Sequence, residues 1–268
     1  MELAAYLDRI GHAGPVRPDL ATLKALHRAH LLAIPYENLD VQLGRPLTTD
    51  PAAAFGKLVT RRRGGWCYEM NGLLGWALGE IGFDVARMAG GVMRQLRGDL
   101  AIGNHLVLKV MIEGRPWIAD VGFGDGALDP YPLQAAEFES EGYPFRLELQ
   151  DDGFWRLHNH PFGGAPSFDF QDRPAEEARL AQRCEWLQTA PESNFVLNAV
   201  AQRHRPGRLL MMRGRVLRTA TPAGYEDRLI GSADEYLAVL RDEFGLDLPE
   251  AAGLWPKILA RHEEVMGT

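Results

Sequence analysis

A glycine pair directly before a long amphipathic run is the feature that most constrains how this chain folds. Gly64 and Gly65 permit a tight backbone turn, and residues 68–81 then carry apolar side chains at helical spacing until Gly82, a typical stop residue. The pattern predicts a helix with Cys67 in its first turn. There the unpaired backbone N–H groups and the positive end of the helix dipole favour the thiolate, the reactive form of cysteine. The alternative is a buried cysteine that acts only as a small apolar residue.

A predicted β-hairpin downstream carries a histidine and an aspartate. Residues 104–112 are rich in Leu, Val and Ile and predict a strand, and residues 116–121 predict its return strand after a short turn. The numbers of facing residues then sum to about 227, which places His105 one diagonal step from Asp120 on one face of the sheet. A carboxylate beside a histidine fixes the ring tautomer and favours the imidazolium, which favours a nearby thiolate. With Cys67, the pair supplies a nucleophile, a base and a group that orients the base.

Several segments resemble arylamine N-acetyltransferases closely. They are residues 34–40 (IPYENLD), the Arg-Gly-Gly-x-Cys-x-Glu-x-Asn pattern of residues 63–71, His105 on its strand, and residues 117–124 (WIADVGFG). Weaker similarity continues from residues 191–195 to 244–246, so the resemblance spans nearly the whole chain. Two departures concern substrate choice: Tyr36 stands where many relatives have Phe, and residues 185–191 are a divergent form of a more polar segment.

The resemblance implies an acyltransferase of xenobiotic metabolism that takes acetyl from acetyl-CoA and gives it to the nitrogen of an arylamine, arylhydrazine or related acceptor. The transfer would be ping-pong, through an acetyl thioester on Cys67, with His105 moving the proton and Asp120 completing the catalytic triad. Acetyl-CoA would be the acyl-donor substrate, and no metal would take part. The residues leave open whether the donor carries acetyl, propionyl, malonyl or a carrier-bound chain, and how many copies assemble.

The same resemblance implies an α+β fold with a helical N-terminal part, a β-barrel-like middle part and an α/β C-terminal lid around a cysteine-protease-like catalytic core. The segment patterns match it, and we place the three parts at residues 1–84, 85–190 and 191–268. Further patterns predict helices at residues 3–10, 20–31, 174–187 and 232–245, turns at Gly90-Gly91 and residues 151–153, and a hairpin over residues 209–219.

Substrate contacts are expected near the glycine-rich run 121–126, which has neither the Walker spacing nor the dinucleotide fingerprint. Beside the triad aspartate, this run would let backbone approach the pantetheine arm of CoA, with Phe123 walling the acceptor site. A simple turn is the alternative. The expected substrate or CoA contacts are Tyr36, Asn104, Phe123, Gly124, Phe195, Arg213 and Arg215.

Charged residues give two further predictions. Arg63 and Glu37 would pair to support the cysteine loop, unless they are two solvated surface charges. Six arginines lie within residues 203–218 without an acidic residue among them, in a protein of net charge −7. They would form a patch for the CoA phosphates, or else a solvated strand face.

Composition argues against several other classes of protein. The net charge of −7 argues against general nucleic-acid binding, and no apolar stretch approaches the length of a membrane span. The N-terminus lacks a basic region followed by an apolar core, so we expect a cytoplasmic protein. Two cysteines in 268 residues make no disulfide framework, and Cys184 lies in a predicted helix as a structural residue. His158 and His160 would share a strand face without a third ligand at metal spacing, so we expect no metal site.

Three alternative functions stay open. The first is an ansamycin-type amide synthase on the same fold, in which the thiolate takes a polyketide chain from a carrier protein and an aryl amine on that chain closes the ring. The second is a cysteine hydrolase or transglutaminase-like enzyme, where the order Cys, His, Asp also occurs. The third is a non-enzymatic binding module, which would give no reason for Cys67, His105 and Asp120 to converge.

Overall fold

The computed structural model describes residues 1–267 as helices packed around two antiparallel sheets, which confirms the α+β prediction. The helices are α1 (Leu3–Ile10), α2 (Leu20–Ala33), α3 (Leu39–Gln42), α4 (Pro51–Phe55), α5 (Cys67–Ile81), α6 (Arg94–Arg97), α7 (Glu177–Thr189), α8 (Asn194–Leu197), α9 (Ala233–Asp242) and α10 (Trp255–Met266). A π-helical turn covers Gly56–Thr60, and 3₁₀ turns cover Gly98–Ala101 and Pro249–Leu254. None of the helices within residues 1–267 is both long and apolar enough to cross a lipid bilayer.

Helices α1, α2 and α5 form the N-terminal core because each turns an apolar face toward the others. Leu23 of α2 and Leu73 of α5, both fully buried, belong to one cluster of core side chains. α2 begins where the Asp19 carboxylate accepts a first-turn N–H at 2.8 Å. α5 ends at Gly82, whose φ of 101° is a conformation that a side chain would strain. The predicted helix that begins at Cys67 is confirmed.

Thirteen strands within residues 1–267 form the two sheets. They are β1 (Tyr36–Glu37), β2 (Asp84–Val92), β3 (His105–Ile112), β4 (Arg115–Ala119), β5 (Tyr131–Pro132), β6 (Ala136–Ser140), β7 (Tyr143–Leu149), β8 (Trp155–His158), β9 (Ser167–Phe170), β10 (Val200–Arg205), β11 (Arg208–Arg213), β12 (Val216–Thr221) and β13 (Gly224–Leu229). One sheet has eight strands in the order β5-β4-β3-β2-β9-β8-β7-β6, and the other has five in the order β1-β10-β11-β12-β13.

The β3–β4 hairpin has the predicted register. Leu108 lies opposite Ala119, and Ile112 lies opposite Arg115, so facing residue numbers sum as expected. His105, the first residue of β3, therefore lies beside the segment that follows β4, which begins with Asp120.

The turn predicted at Gly90-Gly91 is wrong. Both residues lie inside β2, where Gly90 is opposite His105 on one side and Gly91 is opposite Asp169 on the other. A Cβ on Gly90 would lie 3.2 Å from the His105 Cβ, and one on Gly91 would lie 2.8 Å from Ile102 Cδ1. Neighbouring groups thus approach these two positions too closely for a larger residue, and such close approach is one reason why glycine occurs inside strands.

The five-stranded sheet joins the two ends of the chain. Tyr36 of β1 pairs with Gln202 of β10, and the hairpin predicted over residues 209–219 is confirmed as β11 and β12. Ser232 caps α9, since its Oγ accepts the N–H of Glu235 at 3.1 Å. The boundaries at residues 84 and 190 stay predictions.

Candidate active site

Cys67 occupies the first position of α5, and the residue is only 2% exposed. The chain reaches it through the glycine pair, neither member of which has a positive φ. A Cβ on Gly64 would lie 2.3 Å from the Pro35 carbonyl oxygen, and one on Gly65 would lie 2.8 Å from Glu69 Oε2. The pair is therefore required by close packing beneath Cys67 rather than by a left-handed turn.

His105 and Asp120 meet beside the thiol. The Nε2 atom of His105 lies 2.7 Å from Asp120 Oδ2, and both side chains are buried. Burial disfavours the imidazolium, but the Asp120 carboxylate and hydrogen bonds to Asp120 and Cys67 outweigh it and raise the pKa of His105. Burial also disfavours the carboxylate, yet His105 holds the pKa of Asp120 below its ordinary value. The arrangement favours an imidazolium–carboxylate pair and leaves Nδ1 as the ring nitrogen for Cys67.

Asn71 fixes the Asp120 carboxylate, a role that the sequence prediction missed. Its Nδ2 donates to Asp120 Oδ1 at 2.7 Å and to the Leu106 carbonyl at 2.6 Å, and its Oδ1 accepts the N–H of Val121 at 2.9 Å. Asn71 lies about one turn after Cys67 on α5. Its place in the Cys-x-Glu-x-Asn pattern was the available signal.

The segment after Asp120 packs directly on Cys67 and His105. A Cβ on Gly122 would lie 2.7 Å from the Cys67 Cα, and the Gly122 N–H donates to Asp120 Oδ1 at 2.9 Å. The ring of Phe123 lies 5.7 Å from that of His105, centroid to centroid. The close approach that requires glycine at position 122 is therefore to α5, the helix that begins at Cys67.

A buried cluster of five charges lies beneath the loop that leads to Cys67. Arg63 Nη2 lies 2.9 Å from Glu37 Oε1 and 3.2 Å from Asp40 Oδ1. Lys57 Nζ lies 2.9 Å from Glu69 Oε2 and 3.2 Å from Asp40 Oδ2. The five side chains are at most 9% exposed. Arg63 and Glu37 thus pair as predicted, and the alternative of two solvated charges is wrong; Lys57 and Asp40 were missed.

A cavity of about 710 Å³ opens at Cys67 and His105. Six of the seven predicted substrate contacts line it: Tyr36, Asn104, Phe123, Phe195, Arg213 and Arg215. Gly124 is not part of the lining, because it packs against Gln202 so closely that a Cβ would lie 1.7 Å from the Gln202 Oε1. Burial raises the pKa of Tyr36 well above its ordinary value, so its phenol stays protonated.

Two of these lining residues also contact the surroundings of Cys67. The Asn104 side chain accepts the Val92 N–H at 2.8 Å, and the Asn104 carbonyl lies 3.8 Å from Cys67 Sγ. Phe195 packs edge-on against Trp66 at 5.4 Å between ring centroids. Asn104 thus connects β2 to Cys67, and Phe195 connects α8 to the residue before it.

The arginines of residues 203–218, predicted to form a patch for the CoA phosphates, are divided among different partners. Arg203 donates to the Phe244 carbonyl at 2.6 Å, and Arg218 forms a two-point ion pair with Asp227 at 2.7 and 2.8 Å. The physical reason is that successive side chains of a strand point to opposite faces, so the run is divided between different neighbours. The arginines of this run that line the cavity are Arg213, Arg215 and Arg218.

The cavity is strongly cationic although the whole protein is acidic. Its cationic lining residues are Arg97, Arg213, Arg215, Arg218, Lys257 and Arg261. Among residues 1–267, Asp125 is the one carboxylate in the lining, and burial raises the pKa of Asp125 to about 6. Lys257 and Arg261 come from α10, which sequence patterns did not connect with the site.

The other candidate groups have protein partners. His158 Nε2 lies 2.7 Å from Glu148 Oε1, and His160 Nε2 lies 3.1 Å from the Asp125 carbonyl. Within residues 1–267, no three His, Cys, Asp or Glu side chains are grouped so that they could hold a metal ion. Cys184 is a buried free thiol, and burial raises its pKa.

Known proteins share both the sequence and the fold. A family model described as N-acetyltransferase matches residues 19–252. An arylamine N-acetyltransferase of Mycolicibacterium smegmatis is 37% identical over 275 aligned residues, covering 100% of this chain and 99% of that protein. The solved structure of Mycobacterium marinum arylamine N-acetyltransferase in complex with CoA has a TM-score of 0.87 at 31% identity, over 98% of this chain and 99% of the other. That of the Salmonella typhimurium enzyme has a TM-score of 0.85 at 30% identity, over 96% and 98%. The chain therefore belongs to the arylamine N-acetyltransferase family and is an acyltransferase.

Proposed function

We propose that the protein transfers an acetyl group from acetyl-CoA to the nitrogen of an arylamine, arylhydrazine or related acceptor, through an acetyl thioester on Cys67. The observation that carries the proposal is the meeting of Cys67, at a helix N-terminus, with the buried His105–Asp120 pair at the wall of one large cavity. The CoA complex of the M. marinum relative supports the donor. The names of the relatives support the acceptor class.

The first half-reaction acylates the enzyme. The Cys67 thiolate attacks the thioester carbonyl of acetyl-CoA, and the carbon–sulfur bond to CoA breaks. His105 holds the proton as an imidazolium and gives it to the leaving CoA sulfur, while Asp120 orients the ring. The Cys67 N–H belongs to the first turn of α5, whose N–H groups have no partner within the helix, and it serves as one oxyanion donor.

The second half-reaction deacylates it. The amine nitrogen attacks the acetyl carbonyl on Cys67, His105 accepts the nitrogen's proton, and Cys67 leaves as the thiolate. Tyr36, Phe123 and Phe195 line the cavity with aromatic surface that suits an aryl ring. Because Cys67 and His105 are each 2% exposed, bulk water has little access to the thioester.

The CoA phosphates bind, in this proposal, at the cationic part of the cavity. Arg213 and Arg215 lie at the turn between β11 and β12, and Lys257 and Arg261 lie on α10, all in the lining of the same cavity as Cys67. In a protein of net charge −7, these side chains supply the local positive potential that an anionic donor needs. Asn104 contributes backbone and side chain to the wall beside the thiol.

Two further parts of the proposal concern support and context. The Arg63–Glu37 pair and its charged neighbours support the loop that leads to Cys67. A cytoplasmic location, a role in xenobiotic metabolism and the division into parts 1–84, 85–190 and 191–268 stay predictions.

Mass spectrometry of the protein after incubation with acetyl-CoA alone tests the proposal. We expect one added acetyl group, on the peptide that contains Cys67. Addition of an arylamine should remove this group and yield the N-acetyl product. Cys67→Ser should abolish both events. Cys184→Ser is the matched control and should keep them, because Cys184 is outside the cavity lining.

Each other outcome identifies a different function. Acetyl transfer without an acetyl-Cys67 intermediate would refute the thioester route. Acylation by a carrier-bound chain but not by acetyl-CoA would identify an amide synthase. Turnover of a peptide or glutamine amide without CoA would identify a hydrolase or transglutaminase-like enzyme.

A further inference from the structure

A buried histidine on α2 contacts both ends of the segment that carries the triad aspartate. His27 Nε2 lies 3.1 Å from the backbone N of Asp120, and His27 Nδ1 lies 3.0 Å from the Leu128 carbonyl oxygen. A carbonyl oxygen only accepts, so Nδ1 carries the proton and the lone pair of Nε2 accepts the Asp120 N–H. Both ring nitrogens are therefore used, and one imidazole spans the two ends of residues 120–128.

The surroundings keep this imidazole neutral. His27 is 1% exposed, and burial lowers its pKa. The acidic groups that face it are Asp120 and Asp129, and the basic ones are His30 on its own helix and His204 on β10. A protonated ring would present an N–H to the Asp120 N–H, so the neutral form is the one that the contact requires.

The anchored segment contacts every member of the triad. It supplies the Asp120 carboxylate to His105, the close contact of Gly122 with Cys67, and the packing of Phe123 on His105. Displacement of the Asp120 backbone would therefore move the carboxylate that favours the imidazolium.

We propose that His27 is a positioning residue for the triad: it fixes the Asp120 backbone through Nε2 and so directs the Asp120 carboxylate at His105. The proposal rests on the assignment of Cys67, His105 and Asp120 under the proposed function. His27 itself is not among the residues that line the cavity.

The test uses His27→Phe, which keeps a planar ring and removes both hydrogen bonds. The readout is the pH dependence of Cys67 alkylation by iodoacetamide, followed by mass spectrometry of the Cys67 peptide. If Asp120 is displaced, it supports the imidazolium less, and the midpoint of alkylation should rise by about one pH unit or more. In His27→Gln, whose amide can still accept the Asp120 N–H, the alkylation midpoint should rise by less.

His30→Phe is the matched control. His30 lies one turn along α2, is fully buried and bonds through Nδ1 to the Tyr6 hydroxyl at 3.0 Å. His30→Phe should lower the free energy of unfolding as His27→Phe does, but its midpoint of Cys67 alkylation should stay at the wild-type pH. An unshifted midpoint in His27→Phe would overturn the proposal and leave His27 a purely structural residue. If His27→Phe does not fold, His27→Gln provides the test. The proposal is overturned if hydrogen exchange of the Asp120 amide shows a weakened contact in His27→Gln while the alkylation midpoint stays unshifted.

The alkylation assay involves neither acetyl-CoA nor an amine. A protein whose Cys67 is not acetylated by acetyl-CoA but whose alkylation midpoint moves in His27→Phe would refute the proposed function alone. Normal acetylation with an unmoved midpoint would refute the positioning role alone.

Discussion

Lys57→Met removes the ammonium from the buried charge cluster beneath the loop that leads to Cys67, and we expect it to lower the free energy of unfolding by about 3–4 kcal/mol at pH 7. Lys57 Nζ lies 2.9 Å from Glu69, 3.2 Å from Asp40 and 3.7 Å from Glu37. The change leaves Glu37 and Asp40 paired with Arg63 and takes the cationic partner from Glu69. Methionine resembles the lysine stem in shape, so little packing is lost.

The expected magnitude follows from proton uptake. A buried carboxylate without a partner takes up a proton rather than staying ionised. Burial already raises the pKa of Glu69 above its ordinary value of 4.5, so Glu69 is the group that should protonate. Keeping such a carboxyl protonated at pH 7 costs about 1.4 kcal/mol for each of about 2.5 pH units, or about 3.5 kcal/mol. Because the folded-state pKa is then raised, the loss grows as the pH rises above 4.5 and nearly vanishes below it.

Urea denaturation at pH 5 and pH 7 measures this loss, which should be under about 1 kcal/mol at pH 5 and about 3–4 kcal/mol at pH 7. Adding Glu69→Gln should remove most of the pH dependence, because an amide needs no proton. Lys109→Met is the matched control. Its pair with Asp172 is half exposed on the aspartate side, and such pairs contribute about 0–1 kcal/mol. Equal losses for the two lysine variants, or an equal loss at both pH values, would refute the reasoning.

Three further changes test the site. Asp120→Asn should reduce acetyl transfer on the order of a hundredfold or more while circular dichroism stays unchanged, since it favours the wrong tautomer of the histidine; near-normal turnover would make Asp120 merely structural. Arg213→Glu with Arg215→Glu should raise the KM for acetyl-CoA and weaken its salt dependence, yet leave acylation by p-nitrophenyl acetate unchanged. A matched Arg115→Glu variant, exposed and outside the cavity lining, should alter neither. Equal losses with both donors would assign the two arginines to folding instead. Burial raises the pKa of Asp125 from 3.8 to about 6, so its contribution to stability is greatest below pH 3.8 and is lost as the pH rises through 6. Asp125→Asn should therefore gain about 2–2.5 kcal/mol on the wild type between pH 4 and pH 7 in urea denaturation, and a pH-independent difference would contradict this.

Sequence patterns predicted the parts of the site that depend on a single element or hairpin. The helix that begins at Cys67 follows from local periodicity and its glycine stop. The approach of His105 to Asp120 follows from the length of one turn, which sets the register of β3 and β4. Both rest on residues close together along the chain, where few alternative arrangements exist.

Contacts between distant segments were beyond such patterns. Lys57 meets carboxylates from three different elements, and α10 brings Lys257 into the cavity from nearly two hundred residues after Cys67. Neither has a local signature, because each depends on how helices pack in three dimensions. Gly90-Gly91 was predicted as a turn because glycine favours turns and close approaches alike, and only the opposite strand distinguishes the two.

In the segment that begins at Asp120, different neighbours constrain the amino acid at each position. Its aspartate orients His105, its first glycine admits the backbone of Cys67, and Phe123 packs on the imidazole. These three contacts involve different neighbours. A residue larger than glycine at position 122 would therefore push α5 away from the β3–β4 hairpin, even with Cys67, His105 and Asp120 unchanged. Because His27 on α2 contacts both ends of the segment, we expect the arrangement of Cys67, His105 and Asp120 to depend on one short stretch of backbone and on that helix.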